Sequence, residues 1–230
     1  MTDFLKATAV VKRYGGIVAL GRADLSARAG EVHALLGENG AGKSTFIQIL
    51  AGAVRADSGT ITLAGEAYRP KNPEAAQAAG VAAVFQELSL IPALPVAENV
   101  WFRHEPLSPL GTVRAATLNA ATAELFARYR FPDIRPDREV RRLTLAERQV
   151  VEIGKALSRN PRVLILDEAT SALPPAETEW LLGLARSVAA AGTLVIYISH
   201  RLGEVRAIAD RITVFRNGET VAAYETQAVD

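Results

Sequence analysis

Val32-His33-Ala34-Leu35-Leu36 runs directly into Gly37-Glu38-Asn39-Gly40-Ala41-Gly42-Lys43-Ser44-Thr45. An apolar run of this length, closed by glycine, reads as a buried strand. The nine residues from Gly37 have the spacing Gly-x-x-x-x-Gly-Lys-Ser/Thr at the entry to a helix. The glycines let the chain turn tightly and aim successive backbone N–H groups at one anion. A helix starting near Lys43 adds the positive end of its dipole. Lys43 is then placed to reach terminal phosphates, and the Ser44 hydroxyl to ligate Mg2+. The stretch predicts a nucleoside triphosphate site.

On either side, short apolar runs alternate with helical spacing. Residues 4–11 and Ile17–Ala27, the latter with an expected break at Gly21, read as strands ahead of the strand at 31–36. Beyond the loop come a helix at 43–51, a strand at Ser58–Leu63, a brief helix at 72–79 capped by Asn72, and a strand at 81–85. From Pro92 to Arg142 prolines, alanines and arginines accumulate without a strand pattern, and Ala115–Arg128 has helical spacing. A helix is expected at Leu145–Leu157, a fully buried strand at 163–166 and a helix at Pro175–Ala190. A strand at 193–198 and a helix at 202–209 come next, then two strands at 211–216 and 219–224 joined through Asn217-Gly218 as a hairpin. Such alternation predicts an α/β fold with a mostly parallel sheet, phosphate chemistry at the strand C-termini and a helical insertion at about 87–150.

Composition narrows the partners. The chain has 230 residues, enough for one large domain, and is 49 % hydrophobic and 22 % charged, as expected of a folded globular protein. Its net charge of +1 gives no electrostatic case for nucleic acid or an anionic membrane surface. The absence of cysteine excludes disulfides and thiolate metal sites. No apolar run approaches the roughly 20 residues that span a bilayer, and the N-terminus lacks the pattern of a signal peptide. A cytosolic protein is expected, docked onto a membrane partner if it acts at a membrane.

The run Val163-Leu164-Ile165-Leu166 ends in Asp167-Glu168. Adjacent residues at a strand end face different ways, so one carboxylate can serve a metal while its neighbour serves the γ-phosphate. Asp167 is the expected metal-side partner of Ser44, and Glu168 the expected base or orienter for attacking water.

With these elements the chain resembles the nucleotide-binding domain of ATP-binding cassette transporters, over essentially its whole length. Tyr14, in KRYGGIVAL, matches the aromatic residue that stacks on adenine. Gln86, in VAAVFQEL, matches the glutamine that contacts Mg2+ or water beside the membrane domain, and His200, in VIYISHRL, matches the residue that reaches the γ-phosphate. Taken alone, Tyr14 also fits a half-buried strand aromatic, Gln86 a solvated loop residue and His200 a helix-capping one. His33 and His104 match nothing in the pattern and are read as structural.

The resemblance implies ATP and Mg2+ as ligands, a P-loop core with an N-terminal antiparallel β subdomain and an inserted helical subdomain, and a head-to-tail dimer with a second nucleotide-binding domain. It further implies an integral-membrane permease, an extracytoplasmic solute-binding protein acting through it, and a location at the inner face of the cell membrane. The segments GEVHALLGENGAGKST and LTLAERQVVEIGKAL most resemble importers of pentoses and hexoses.

Three departures qualify this. The family's LSGGQ signature aligns with Leu143-Thr144-Leu145-Ala146-Glu147, where Thr144 and Glu147 fit a capping box but Glu147 places a carboxylate near a partner's triphosphate. Thr144, Leu145, Ala146 and Glu147 are expected to act in trans. Where relatives read SALD, the chain reads Ser171-Ala172-Leu173-Pro174 and so lacks an aspartate that couples the two ATP sites. The sequence stops at Gln227-Ala228-Val229-Asp230, where the family carries a further short helix. A first half of a two-domain polypeptide is expected, with a compact stand-alone subunit as the alternative. A non-transport cassette ATPase of translation or DNA repair, and a regulatory module that holds ATP without turnover, are the competing readings.

Overall fold

A computed structural model describes residues 3–107 and 111–226; the reading of residues 227–230 lies outside them. In chain order the elements are β1 (Leu5–Tyr14), β2 (Ile17–Ala27), β3 (Val32–Leu36), α1 (Lys43–Leu50), β4 (Ser58–Leu63) and β5 (Glu66–Ala67). Then come α2 (Pro73–Ala78), β6 (Val81–Val84), α3 (Val96–Val100), α4 (Ala115–Arg128), α5 (Leu145–Leu157) and β7 (Val163–Asp167). The last are α6 (Pro175–Ala190), β8 (Leu194–Ile198), α7 (Leu202–Ile208), β9 (Arg211–Arg216) and β10 (Glu219–Glu225).

The strands form one sheet in the order β5-β4-β1-β2-β10-β9-β3-β8-β7-β6. From β9 to β6 all neighbours pair parallel, with α-helical crossovers, and β5, β4, β1 and β2 form an antiparallel flank. Period-two alternation explains why the central strands read as unbroken apolar runs. Leu164 and Leu166 of β7 and Val195 and Tyr197 of β8 enter one buried layer with α5 and α6. Val163, Ile165, Leu194 and Ile196 point the other way, into a layer with α1 and the antiparallel flank. Helix α1 buries Phe46, Ile47, Ile49 and Leu50 there, each side chain contributing roughly 1.5–3 kcal/mol. That packing fixes the helix whose N-terminus closes the phosphate loop.

One sequence expectation shifts, and one helix was not anticipated. At Gly21 the strand continues as an element, but its pairing with β1 does not: the register shifts between Val10↔Ala23 and Lys12↔Leu20, so the expected break is a local irregularity within β2. There Gly218 O accepts from Gly21 N at 2.8 Å, so the glycine marks a close strand-to-turn approach. Asn217 and Gly218 have φ of 52° and 78°, the pair of positive values a two-residue hairpin turn requires. Between β6 and β7 the described residues form helices and a 3-10 turn at Val140–Arg142, with a single isolated bridge, Pro95↔Glu139. Helix α3, unread in the proline-rich stretch, starts from Pro95 as its N-cap. No helix among the described residues is long and apolar enough to cross a membrane.

Candidate functional site

Strand β3, four of whose five residues are buried, delivers the chain to Gly37 at the C-terminal edge of the sheet. The loop turns back through Gly42, the N-cap of α1, at φ 99° and ψ −1°. A β-carbon at Gly42 would lie 2.6 Å from Leu20 Cδ2 and 2.7 Å from Ala19 O, so both conformation and space demand glycine. Gly218 N donates to Ala41 O at 3.2 Å, which makes the β9–β10 turn a brace behind the loop. Nothing in the sequence pattern marked Gly218 for this role beyond its place in a hairpin turn.

Lys43 Nζ donates to Gly37 O at 2.6 Å and to Glu38 O at 3.1 Å, which holds the ammonium across the mouth of the loop. Asn39, Gly40, Ala41, Gly42, Lys43, Ser44 and Thr45 line a cleft of about 540 Å³ together with Gln86, Asp167 and Glu168. Ile17, Val18 and Ala19 make its apolar wall and were not singled out in the sequence. Tyr14, half exposed, sits opposite Ile17 across the Gly15-Gly16 turn, at the rim of this wall rather than in the cleft.

Asp167 ends β7, is 9 % exposed, and has its carboxyl pushed up to about 6. Burial is the main cause, the Glu168 charge adds to it, and Lys43 opposes it. Glu168 turns away at φ 49°, a left-handed conformation uncommon for a non-glycine residue and held by Glu168 N donating to Ile198 O at 3.0 Å. Its Oε1 lies 3.5 Å from Nδ1 of His200, which is otherwise exposed at the end of β8. The structure therefore brings His200 to Glu168 without making it a wall of the cleft.

Thr144, Leu145, Ala146 and Glu147 stand apart, at the exposed start of α5. Thr144 Oγ1 accepts from Glu147 N at 3.2 Å, and Glu147 Oε2 accepts from Thr144 N at 2.7 Å. The other oxygen of Glu147 accepts from Arg138 Nη1 at 2.7 Å. Partial burial would raise the Glu147 carboxyl, but the Thr144 hydrogen bonds and the Arg138 charge outweigh it and hold the group below its ordinary value. One turn further along α5, Glu152 Oε1 accepts from Ser89 Oγ at 2.6 Å, and Lys155 Nζ donates to the same hydroxyl at 2.8 Å, which joins the helix to the loop that carries Gln86. His33 is buried between Glu31 and Thr213, and His104 lies against Ser158, both within the packing of the domain.

Among the described residues no three His, Cys, Asp or Glu side chains cluster to hold a metal by themselves. Ser44, Gln86 and Asp167 offer instead a hydroxyl, an amide and a carboxylate on one cleft, the hard oxygen donors that suit Mg2+ completed by phosphate and water. The buried, destabilised charge of Asp167 is one that a cation would relieve.

A strand–loop–helix cradle facing the carboxylates of a parallel neighbour two strands away defines a P-loop nucleotide-binding domain. Residues 20–171 match the family described as ABC transporter, and the chain belongs to that family. It is 48 % identical over 215 residues to the ribose import ATP-binding protein RbsA 1 of Rhizobium johnstonii, covering 94 % of this chain and 42 % of that one. To the ribose import ATP-binding protein RbsA of Burkholderia mallei it is 46 % identical, over all of this chain and 45 % of the relative. The chain thus spans less than half the length of these relatives. In fold it matches a nucleotide-free ATP-binding cassette from an ABC transporter, with a TM-score of 0.85 at 24 % identity over 97 % of this chain and 92 % of the other.

Proposed function

We propose that this chain binds ATP with Mg2+ and hydrolyses it to drive import of a sugar through a membrane-embedded permease. The observation that carries the reading is the convergence of Lys43, Ser44, Gln86, Asp167 and Glu168 on one cleft at the open end of α1. The relatives named as ribose import proteins support sugar as the solute.

Residues 37–45 wrap the phosphates with backbone N–H groups, and Lys43 exchanges its carbonyl partners for β- and γ-phosphate oxygens. Tyr14 stacks on adenine above the wall formed by Ile17 and Val18. Ser44, Gln86 and Asp167 hold Mg2+, which neutralises phosphate charge when bound. Glu168 orients the attacking water and takes its proton, and His200, beside it, contacts the γ-phosphate. Thr144 to Glu147 serve the ATP of a second nucleotide-binding domain, on the same or a separate chain, in a head-to-tail pair. Residues of about 87–150 act as the helical subdomain that carries them. The assembly sits at the cytoplasmic face of the membrane, against the permease, with an extracytoplasmic solute-binding protein on the far side and no nucleic acid partner.

Steady-state ATPase rate per chain, measured across protein concentration, tests the reading. The rate is expected to rise with concentration and to fall at least about 100-fold in Glu168→Gln while ATP binding persists. Wild-type turnover in that variant would remove Glu168 from the mechanism.

A further inference from the structure

Two segments of the proposed site meet at a buried carboxylate that the hydrolytic scheme leaves unused. Glu204, in the first turn of α7, has a side chain 10 % exposed. Its Oε2 accepts from Tyr197 Oη at 2.6 Å, Ser199 Oγ at 2.9 Å and Thr170 Oγ1 at 2.9 Å. Its Oε1 accepts from Arg201 Nη1 at 3.1 Å. Tyr197 and Ser199 lie in the buried end of the β8 segment, directly before His200, and Thr170 comes two positions after Glu168. Both turns that present the Glu168–His200 pair are therefore tied to one group.

The arrangement is not an ordinary helix cap. Glu204 occupies the third helical position, from which a glutamate commonly reaches back to the N-cap amide. Here Arg201 N donates instead to Ser199 Oγ at 3.1 Å, and the carboxylate turns inward to the strand end and Thr170. Four donors on two oxygens also need the charged form. A glutamine amide has one accepting oxygen, which leaves a buried hydroxyl unpaired and turns an N–H toward the Arg201 cation.

We propose that Glu204 is a positioning residue that holds the His200 imidazole in register with the Glu168 carboxylate. The role rests on the hydrolytic reading of the cleft. It predicts loss of turnover without loss of ATP binding, and loss only where His200 is present to be positioned.

The test compares the intact chain with Glu204→Gln, His200→Ala and the double variant, at protein concentrations where turnover per chain has levelled off. Glu204→Gln is expected to lower kcat about tenfold with KM for ATP within about twofold, and to cost nothing further in the His200→Ala background. An unchanged kcat, or the same factor lost in both backgrounds, overturns the proposal. A second readout does not need turnover: in NMR spectra of the histidine rings, Glu204→Gln should shift the His200 signals and leave those of His33 and His104 in place. Unmoved His200 signals overturn the proposal as well. If the unmodified chain fails to hydrolyse ATP, the functional reading falls and the ring signals still decide the role of Glu204. Should Glu204→Gln not fold, Thr170→Val removes one donor at nearly constant volume and is expected to act in the same direction.

Discussion

Helix α1 starts from Gly42 with no side chain over its first amides and no acidic residue in its first turn, whereas α5 starts from Thr144 with a carboxylate locked across them. Every helix leaves its first N–H groups without partners inside the helix. In α5 the chain supplies a partner of its own: Thr144 Oγ1 accepts from Glu147 N, while the Glu147 carboxylate accepts from Thr144 N and pairs with Arg138. In α1 glycine supplies none, and Lys43 adds positive charge where the helix dipole is already positive. An uncapped start does not by itself mark a site, since α4 also begins without a side-chain cap or an acidic residue in its first turn. What sets α1 apart is that its open end coincides with Lys43 and with the cleft that Asp167 and Glu168 line.

The largest effect that should break this contrast is on binding. Lys43→Ala is expected to weaken ATP affinity by on the order of 1000-fold, through loss of a charge-assisted contact in the cleft. Thr144→Ala, at the other helix start, should leave affinity within about twofold and lower stability by about 1 kcal/mol through loss of the cap. Calorimetric titration and urea unfolding of the two variants read both quantities. Unchanged affinity in Lys43→Ala would refute the assignment of the loop.

The open end also carries a cost that depends on pH. Asp167 faces the cleft with its carboxyl at about 6 against an ordinary 3.8, so the folded chain holds that proton more tightly than the unfolded chain does. The stability this confers is complete below about pH 4 and is lost as pH rises through about 6, a difference of about 3 kcal/mol. Asp167→Asn should therefore gain about 2 kcal/mol relative to the unmodified chain between pH 4 and pH 8, in urea unfolding without nucleotide or metal. An equal effect of the substitution at both pH values would show that the carboxylate is not destabilised.

Both helix starts were legible in the sequence, for local reasons. The glycine spacing before Lys43 and the Thr-x-x-Glu before the α5 apolar face each state their geometry within a few residues. The turn at Asn217-Gly218 was legible on the same grounds. What escaped was set by distance along the chain. Arg138 reaches Glu147 from an irregular, proline-flanked segment whose path no periodicity gives. Thr170 and Glu204 are 34 positions apart and meet only because β7 and β8 are neighbours in the sheet. Gly21 read as a strand break because its reason, the approach of Gly218, lies on a strand pair formed at the other end of the sequence. Tyr14 was singled out only by its resemblance to an adenine-stacking aromatic, and the cleft wall fell to the start of the next strand, Ile17 to Ala19.

The smallest effect sharpens the comparison most, because it concerns whether the closed end of α5 still repels phosphate. From sequence, Glu147 sets a carboxylate where a partner's triphosphate is expected; in the structure, one oxygen is tied to Thr144 N and the other to Arg138, and the local charge is nearly balanced. Replacement by glutamine keeps the capping box and removes the ion pair, so Glu147→Gln should alter turnover per chain by less than about twofold and stability by about 0.5 kcal/mol. Arg138→Ala leaves the carboxylate without its cation and should lower turnover about fivefold, more at low ionic strength, where unpaired charges are least screened. The double variant should then recover the rate, since no charge remains to repel. A several-fold rise in Glu147→Gln alone would mean that the carboxylate opposes the partner's phosphate despite Arg138, and that the two helix starts differ in sign toward an anion and not only in openness.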